Sequence, residues 1–309
     1  MPFALGFDAV RRIPLLLVAI ALFGGCGSES EPPPGLGRVA LDFQPNAVHA
    51  GLYAGRAQSL IVPGSSTDSL KLLASRRAEM AVVDIHDLGL ARERGEDIVG
   101  IAALVQRPLA AVIARAGIER PRDLEGKRVG VTGLPSDEAV LRAIVEHDGG
   151  DYSKVKRTTI GFSAVPSLIA GRVDAVVAFW NAEGVALRQR GVPTREFRVD
   201  DYGAPRYPEL VLATRGWTAR HRPVAIEATL DQLRHATVVA LRDRKATIAK
   251  LVEASGADEP LMRAQLDAVA PALLPPMRLD RAALEGWARF DTRFGILERL
   301  PDVDEAFRL

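Results

Sequence analysis

Cysteine is nearly absent: one residue, Cys26, in a chain of 309. A single thiol excludes an intramolecular disulfide framework and any cysteine-rich metal centre. Neither sign of charge is in surplus. Lysine and arginine number 40, aspartate and glutamate 39, for a formal net charge of +1. The chain therefore lacks the cationic excess with which a general nucleic-acid binder neutralises phosphate. Aromatic residues are few at 6%, and the five histidines are dispersed without ligand spacing, although His49 and His86 are close enough in order to meet on one half of the fold. No P-loop, G-x-S-x-G nucleophile turn or H-E-x-x-H helix is present, which removes the commonest phosphate, acyl-transfer and zinc-hydrolase chemistries.

What is present fits an extracytoplasmic globular protein. Hydrophobic residues are 48% and charged residues 26%, a balance that folds, and the length is comfortable for two domains. Arg11 and Arg12 precede an apolar run from Ile13 to Phe23 that ends in Gly24-Gly25-Cys26. That run is too short for the roughly 20 residues that cross a bilayer, and its flanks are those of a secretory signal. The cysteine after two small residues resembles a bacterial lipobox, with Phe23 where leucine is preferred and Leu22 one place further back. We therefore expect residues 1–25 to be a signal peptide. Residues 26–37 are expected to be a proline-, serine- and glutamate-rich tether carrying a lipid on Cys26, which would anchor the protein to the outer face of the cell membrane or in the periplasm. An uncleaved anchor, or secretion with a chance cysteine, remains open.

From Arg38 the chain alternates short β-branched runs with helical stretches. Strands are expected at 38–43, 59–62, 80–84, 98–104, 109–114, 128–132, 157–161, 175–179, 196–199 and 210–214, followed by helices at 224–242, 247–253, 259–269 and 282–294. Such alternation implies an α/β architecture with mostly parallel sheets. The polar turn at 120–127 before a fresh βα unit, and the return strand at 210–214, divide the chain. Lobe 1 is expected at 38–117 plus 214–309 and lobe 2 at 118–213, with two crossings between them forming a hinge.

Three segments carry a resemblance. They are Leu41-Asp42-Phe43-Gln44-Pro45-Asn46-Ala47-Val48-His49, then Ala178-Phe179-Trp180-Asn181-Ala182-Glu183-Gly184, and finally Asp201-Tyr202-Gly203-Ala204-Pro205-Arg206-Tyr207-Pro208-Glu209. Together they resemble the bacterial binding proteins for thiamine-pyrimidine precursors. That family includes the fungal-type thiamine pyrimidine synthases and is related to sulfonate (SsuA-like), taurine and riboflavin binders of the type II periplasmic-binding-protein fold. The resemblance implies a solute-binding component of an ABC importer, with a permease and an ATPase as partners and an aminopyrimidine of the formylaminopyrimidine kind as ligand. It implies no cofactor, no metal and no nucleic acid.

Candidate ligand residues follow from the segments. Phe43 and Asn46 lie where a strand gives way to a helix, the edge at which open α/β sheets bind ligands. An aromatic there can stack on a planar ring and an amide can donate and accept; a plain core role for Phe43 is the alternative. His49, Trp180, Tyr202 and Tyr207 come with the same segments. Asn181 and Glu183 open the helix after the strand at 175–179, either as simple cap residues or reading the nitrogen-rich edge of a pyrimidine by charge-assisted hydrogen bonds. Ser65 and Thr67 form a polar loop, and Asp84 and His86 end the third strand, again on the expected cleft side. His86 coincides with the histidine that the fungal-type synthases consume.

The enzyme is disfavoured. The synthases hold pyridoxal phosphate on a lysine four residues before that histidine, where this chain has Val82, which forms no Schiff base. Their iron-binding cysteines have no counterpart beyond Cys26. A riboflavin, sulfonate or taurine binder of the same fold is the principal alternative, and a ligand-free surface sensor or scaffold the alternative of another class. The acidic residues Asp123, Glu125, Asp200 and Asp201 are expected on solvated turns. The linker between the first helix and the second strand is about ten residues shorter than in the relatives, which predicts a curtailed first helix and second strand.

Overall fold

The computed structural model describes residues 36–55, 58–65 and 68–309. The expected signal segment, Cys26 and Thr67 lie outside the described residues. Ten strands run along the chain: β1 (Arg38–Ala40), β2 (Ser59–Ile61), β3 (Met80–Asp84), β4 (Ile98–Ala103), β5 (Ala110–Arg115), β6 (Arg128–Val131), β7 (Lys156–Thr159), β8 (Ala175–Phe179), β9 (Thr194–Arg198) and β10 (Leu210–Arg215). They form two sheets, ordered β2-β1-β3-β10-β4 and β7-β6-β8-β5-β9. Within each, the βα units pair in parallel and one strand runs against them: β10 against β3 and β4, and β5 against β8 and β9.

The central strands are apolar on both faces because helices cover both. Met80, Ala81, Val82 and Val83 in β3, and Ala111 to Ala114 in β5, are essentially inaccessible, the continuous run that a doubly covered strand requires. At the edge of the second sheet, β7 reads Lys-Arg-Thr-Thr and is exposed throughout, charge that blunts an edge against pairing with another chain.

Sheet membership moves the expected lobe boundaries. Residues 110–115, expected in lobe 1, pair in the second sheet, and residues 210–213, expected in lobe 2, pair in the first. The chain therefore crosses between lobes near 104–109 and 199–209. Composition hid this, since β5 is as apolar as β3, but Pro108 and Pro208 mark both crossings, each lacking the N–H that continues a ladder. Leu104 N–H donates to Leu210 O at 2.8 Å, tying the two crossings side by side.

The helices are α1 (Ala50–Ala54), α2 (Asp68–Ala74), α3 (Ile85–Glu93), α4 (Pro135–His147), α5 (Ala164–Ile169), α6 (Val185–Gln189), α7 (Gly216–His221), α8 (Pro223–Arg242), α9 (Arg244–Ser255), α10 (Glu259–Val269), α11 (Arg281–Phe294) and α12 (Val303–Ala306). The elements flanking the short linker are themselves short: α1 is five residues long and β2 three. α1 lies directly against α8, where a Cβ on Gly51 would sit 2.1 Å from Thr237 Oγ1, so only glycine permits the approach. α10 packs on both the Ala47–His49 turn of the first lobe and α6 of the second, and α11 touches α4, so the C-terminal helices are not confined to lobe 1. Among the described residues no helix is long and apolar enough to cross a membrane.

Candidate functional site

The carboxyl ends of β1, β3, β6, β7 and β8, and the start of the antiparallel β10, converge on one cavity of about 150 Å³ between the two sheets. This is where open parallel sheets place ligands, and a cavity of that volume takes about one six-membered ring. Four of the expected residues line it: Phe43, Asn46 and Asp84 from the first lobe and Glu183 from the second.

Each is placed by local structure. β1 stops at Ala40 rather than running to residue 43, and Asn46 caps the following turn, its Oδ1 accepting from Val48 N–H at 3.0 Å. His49 closes that turn from behind. Its Nδ1 accepts from Asn46 N–H at 3.2 Å and its Nε2 donates to Asp42 Oδ1 at 2.6 Å. After β8 the chain makes a π-helical turn, Trp180–Gly184, before α6, the kind of wide turn that re-aims side chains at functional sites. Through it Glu183 folds back so that Oε2 accepts from Phe179 N–H at 3.1 Å. Burial pushes the Glu183 carboxyl above its ordinary range, more than its own N–H and that of Phe179 lower it.

Among the described residues six carboxylates line the cavity, Asp42, Asp84, Asp87, Asp137, Glu183 and Glu209, and no lysine, arginine or histidine does. Most are already engaged. Asp42 takes His49; Asp84 Oδ1 accepts from His86 N–H at 2.8 Å; Asp137 Oδ2 accepts from Thr132 and Gly133 N–H; Glu209 Oε2 accepts from Leu109 N–H at 2.7 Å and Ala110 N–H at 3.3 Å. Crowding and burial raise several of them. Burial lifts Asp84 and Asp137; burial and then the charge of Asp84 push Asp87 up to about 7 and Glu209 up to about 8. Glu183 and Asp137 are the two that come from the second lobe, and Glu183 Oε2 is held by the Phe179 N–H.

The remaining expected residues lie elsewhere. His86 is buried behind the cavity, with Nδ1 at 2.7 Å from Asp291 Oδ1. Burial alone would lower its basicity, but Asp291 and Asp84 outweigh that and hold it up to about 10. It does not meet His49. Trp180 is 2% exposed, its Nε1 donating to Pro108 O at 3.0 Å while Arg198 lies 4.2 Å above the ring, so its stacking face is taken by a guanidinium. Asn181 is buried away from the cavity and does not cap the helix. Tyr202 packs edge-on against Phe197 and His147, and Tyr207 is fully buried against His86 and Phe290. Ser65 lies ahead of α2, its carbonyl accepting from Asp68 N–H at 3.1 Å. Of the acidic residues expected on solvated turns, Asp200 has a fully covered side chain paired with Arg107 at 2.7 Å. Aromatics at the hinge and under the sheets are filled by neighbours because each offers more buried area there than at a cleft lip.

Sequence reasoning missed Phe162, Asp137 and Glu209. Phe162 follows β7, lines the cavity and stacks on Phe43 from the opposite lobe. Its only sequence signal is an aromatic just ahead of a helix start.

The sequence profile described as NMT1/THI5 like matches residues 49–247. The chain belongs to that family. It is 35% identical over 218 residues to the formylaminopyrimidine-binding protein of Halalkalibacterium halodurans, covering 65% of this chain and 66% of that one. A Haemophilus influenzae protein named for thiamine biosynthesis is 27% identical over 190 residues, covering 56% and 60%. The chain thus spans just under two thirds of the length of these relatives. Its fold is that of the periplasmic aliphatic sulphonate-binding protein SsuA of Escherichia coli, with a TM-score of 0.73 at 16% identity over 88% of this chain and 97% of that one.

Proposed function

We propose that this chain is the extracytoplasmic solute-binding component of an ABC importer and that it captures a flat, nitrogen-rich heterocycle of the formylaminopyrimidine class. The observation that carries this reading is the acidic lining of a ring-sized cavity, in which Glu183 of the second lobe faces the first-lobe carboxylates and offers an acceptor to ring-edge donors. The Halalkalibacterium relative, named for a ligand of that chemistry, supports it. An aminopyrimidine offers an exocyclic amine and a basic ring nitrogen, which pair with a carboxylate through two charge-assisted hydrogen bonds. The stacked pair Phe43 and Phe162 supplies aromatic wall from the two lobes. A ligand touching both lobes favours the closed form by its differential affinity for it, and the closed form would dock on the permease.

The lining argues against the alternatives. A sulfonate needs cationic or neutral donors and here meets six carboxylates. Three fused flavin rings exceed about 150 Å³. Val82 in place of the Schiff-base lysine argues for capture rather than synthesis. Removal of a leader of residues 1–25, and a lipid on Cys26, would hold the protein at the outer face of the membrane.

Isothermal titration with a formylated aminopyrimidine tests the assignment. Binding in the wild type should weaken at least a hundredfold in Glu183→Ala. Unchanged affinity in a folded variant, or no binding by the wild type, would overturn it.

A further inference from the structure

Where the cavity wall meets the buried His86 lies a cluster whose imidazole is not used in ligand capture. Asp84, His86 and Glu209 each present one donor atom, and the three lie within 4.8 Å of one another. His86 is 1% exposed and Glu209 1%. His86 Nδ1 is held by Asp291, leaving Nε2 as its ligating nitrogen, and Nε2 is buried with no hydrogen-bond partner. Two neighbours share that condition: Tyr207 Oη, on the ring 5.2 Å from the imidazole, and Asp291 Oδ2. Buried polar atoms are nearly always partnered, and a concentration of unpartnered ones marks a place where an ion or water belongs.

We propose that Asp84, His86 and Glu209 form a binding site for a divalent transition metal of the zinc class, reached from the cavity. The donor set of one imidazole and two carboxylates is one that zinc accepts, once the metal has displaced to solvent the proton on His86 Nε2 and any on the Glu209 carboxyl. Three protein ligands leave a fourth position, and since Asp84 and Glu209 both line the cavity, that position faces it. The buried carboxylate of Asp291 on the far nitrogen is the second-shell partner that fixes the ring of a metal-bound histidine. Donors 2.0–2.1 Å from a tetrahedral zinc are about 3.3 Å apart, so binding draws the three side chains together by up to about 1.5 Å. Glu209 can make this move through Oε1 while Oε2 keeps the Leu109 and Ala110 amides at the hinge. The proposal stands independently of the pyrimidine assignment.

The test uses the tag-free chain, stripped with chelator and titrated with Co²⁺ as a spectroscopic stand-in for Zn²⁺. One Co²⁺ per chain should bind with visible ligand-field absorption of a four- or five-coordinate site. His86→Gln and Glu209→Gln, checked for folding by circular dichroism, should each lose at least tenfold in affinity, and Asp291→Asn about tenfold or more. X-ray absorption of the Zn²⁺-loaded wild type should show one imidazole among oxygen ligands, which keeps the test decisive if a variant fails to fold. No stoichiometric binding, retained affinity in folded variants, or a shell without imidazole would each overturn the site.

Discussion

Phe43 of the first lobe and Phe162 of the second stack across the cleft, ring centroids 5.1 Å apart and planes inclined by 28°. Phe162 is 56% exposed, so the contact is not a piece of core. Both rings line the cavity, one from each lobe, so the contact bridges the lobes. The pair thus acts as a latch, and a geometry of this kind is worth about 0.5–1.5 kcal/mol beyond buried area.

Removing the latch should act on dissociation. Phe162→Ala is expected to raise the ligand off-rate by up to about tenfold, the equivalent of about 1.4 kcal/mol, with a smaller change in on-rate. Stopped-flow displacement checks this. Because the side chain is mostly solvated, unfolding free energy should stay within about 0.5 kcal/mol of wild type. An unchanged off-rate would remove the latch.

Glu209 joins the two hinge crossings, accepting from Leu109 and Ala110 while sitting at the start of β10. Glu209→Ala leaves two buried amides without partners, at about 1–3 kcal/mol each, and should lower stability in urea by about 2–4 kcal/mol. Glu209→Gln keeps an oxygen in place and should recover most of that loss. Equal losses in both variants would show that charge rather than amide satisfaction is what the hinge needs.

How much of this was legible in the sequence depends on the range of the interaction concerned. The strands were legible because a βα chain with doubly covered sheets writes its centre as apolar runs: residues 80–84 and 175–179 match β3 and β8 end to end. Phe43, Asn46, Asp84 and Glu183 could be expected at the cavity because the elements that aim them are local, a strand end followed at once by a helical turn. His86 was misplaced because its partner, Asp291, is 205 residues away. Trp180 was misplaced for a similar reason, since Arg198 comes from the next strand. Phe162 carries no pattern at all; only the meeting of lobes gives it a role.

Trp180 offers a check on that correction. Trp180→Phe loses the hydrogen bond to Pro108 O and part of the Arg198 stacking, together about 1–2 kcal/mol of stability. Ligand affinity should stay within twofold, because the indole does not reach the cavity. A large loss of affinity at unchanged stability would return Trp180 to the binding site.

Glu183 couples recognition to pH with a definite sign. Its carboxyl is held above the ordinary 4.5 because burial penalises the charged form. On raising the pH through 4.5 the unfolded chain gives up this proton first, so stability declines until the folded carboxyl also ionises, and is constant above that. Below 4.5 the group contributes nothing. Glu183→Gln has no such proton and can keep the Phe179 N–H through its amide oxygen. In ligand-free protein the variant should therefore match wild type at low pH and become relatively more stable as pH rises to 8, read by urea denaturation across the series. The same substitution turns an acceptor-only group into one that also donates, so affinity for the aminopyrimidine should fall at least tenfold. A binding side chain that destabilises its own fold when ionised, and is relieved by a cationic or donor-rich ligand, predicts this opposition of stability and affinity. A variant less stable than wild type at pH 8 would show instead that Glu183 is a structural cap.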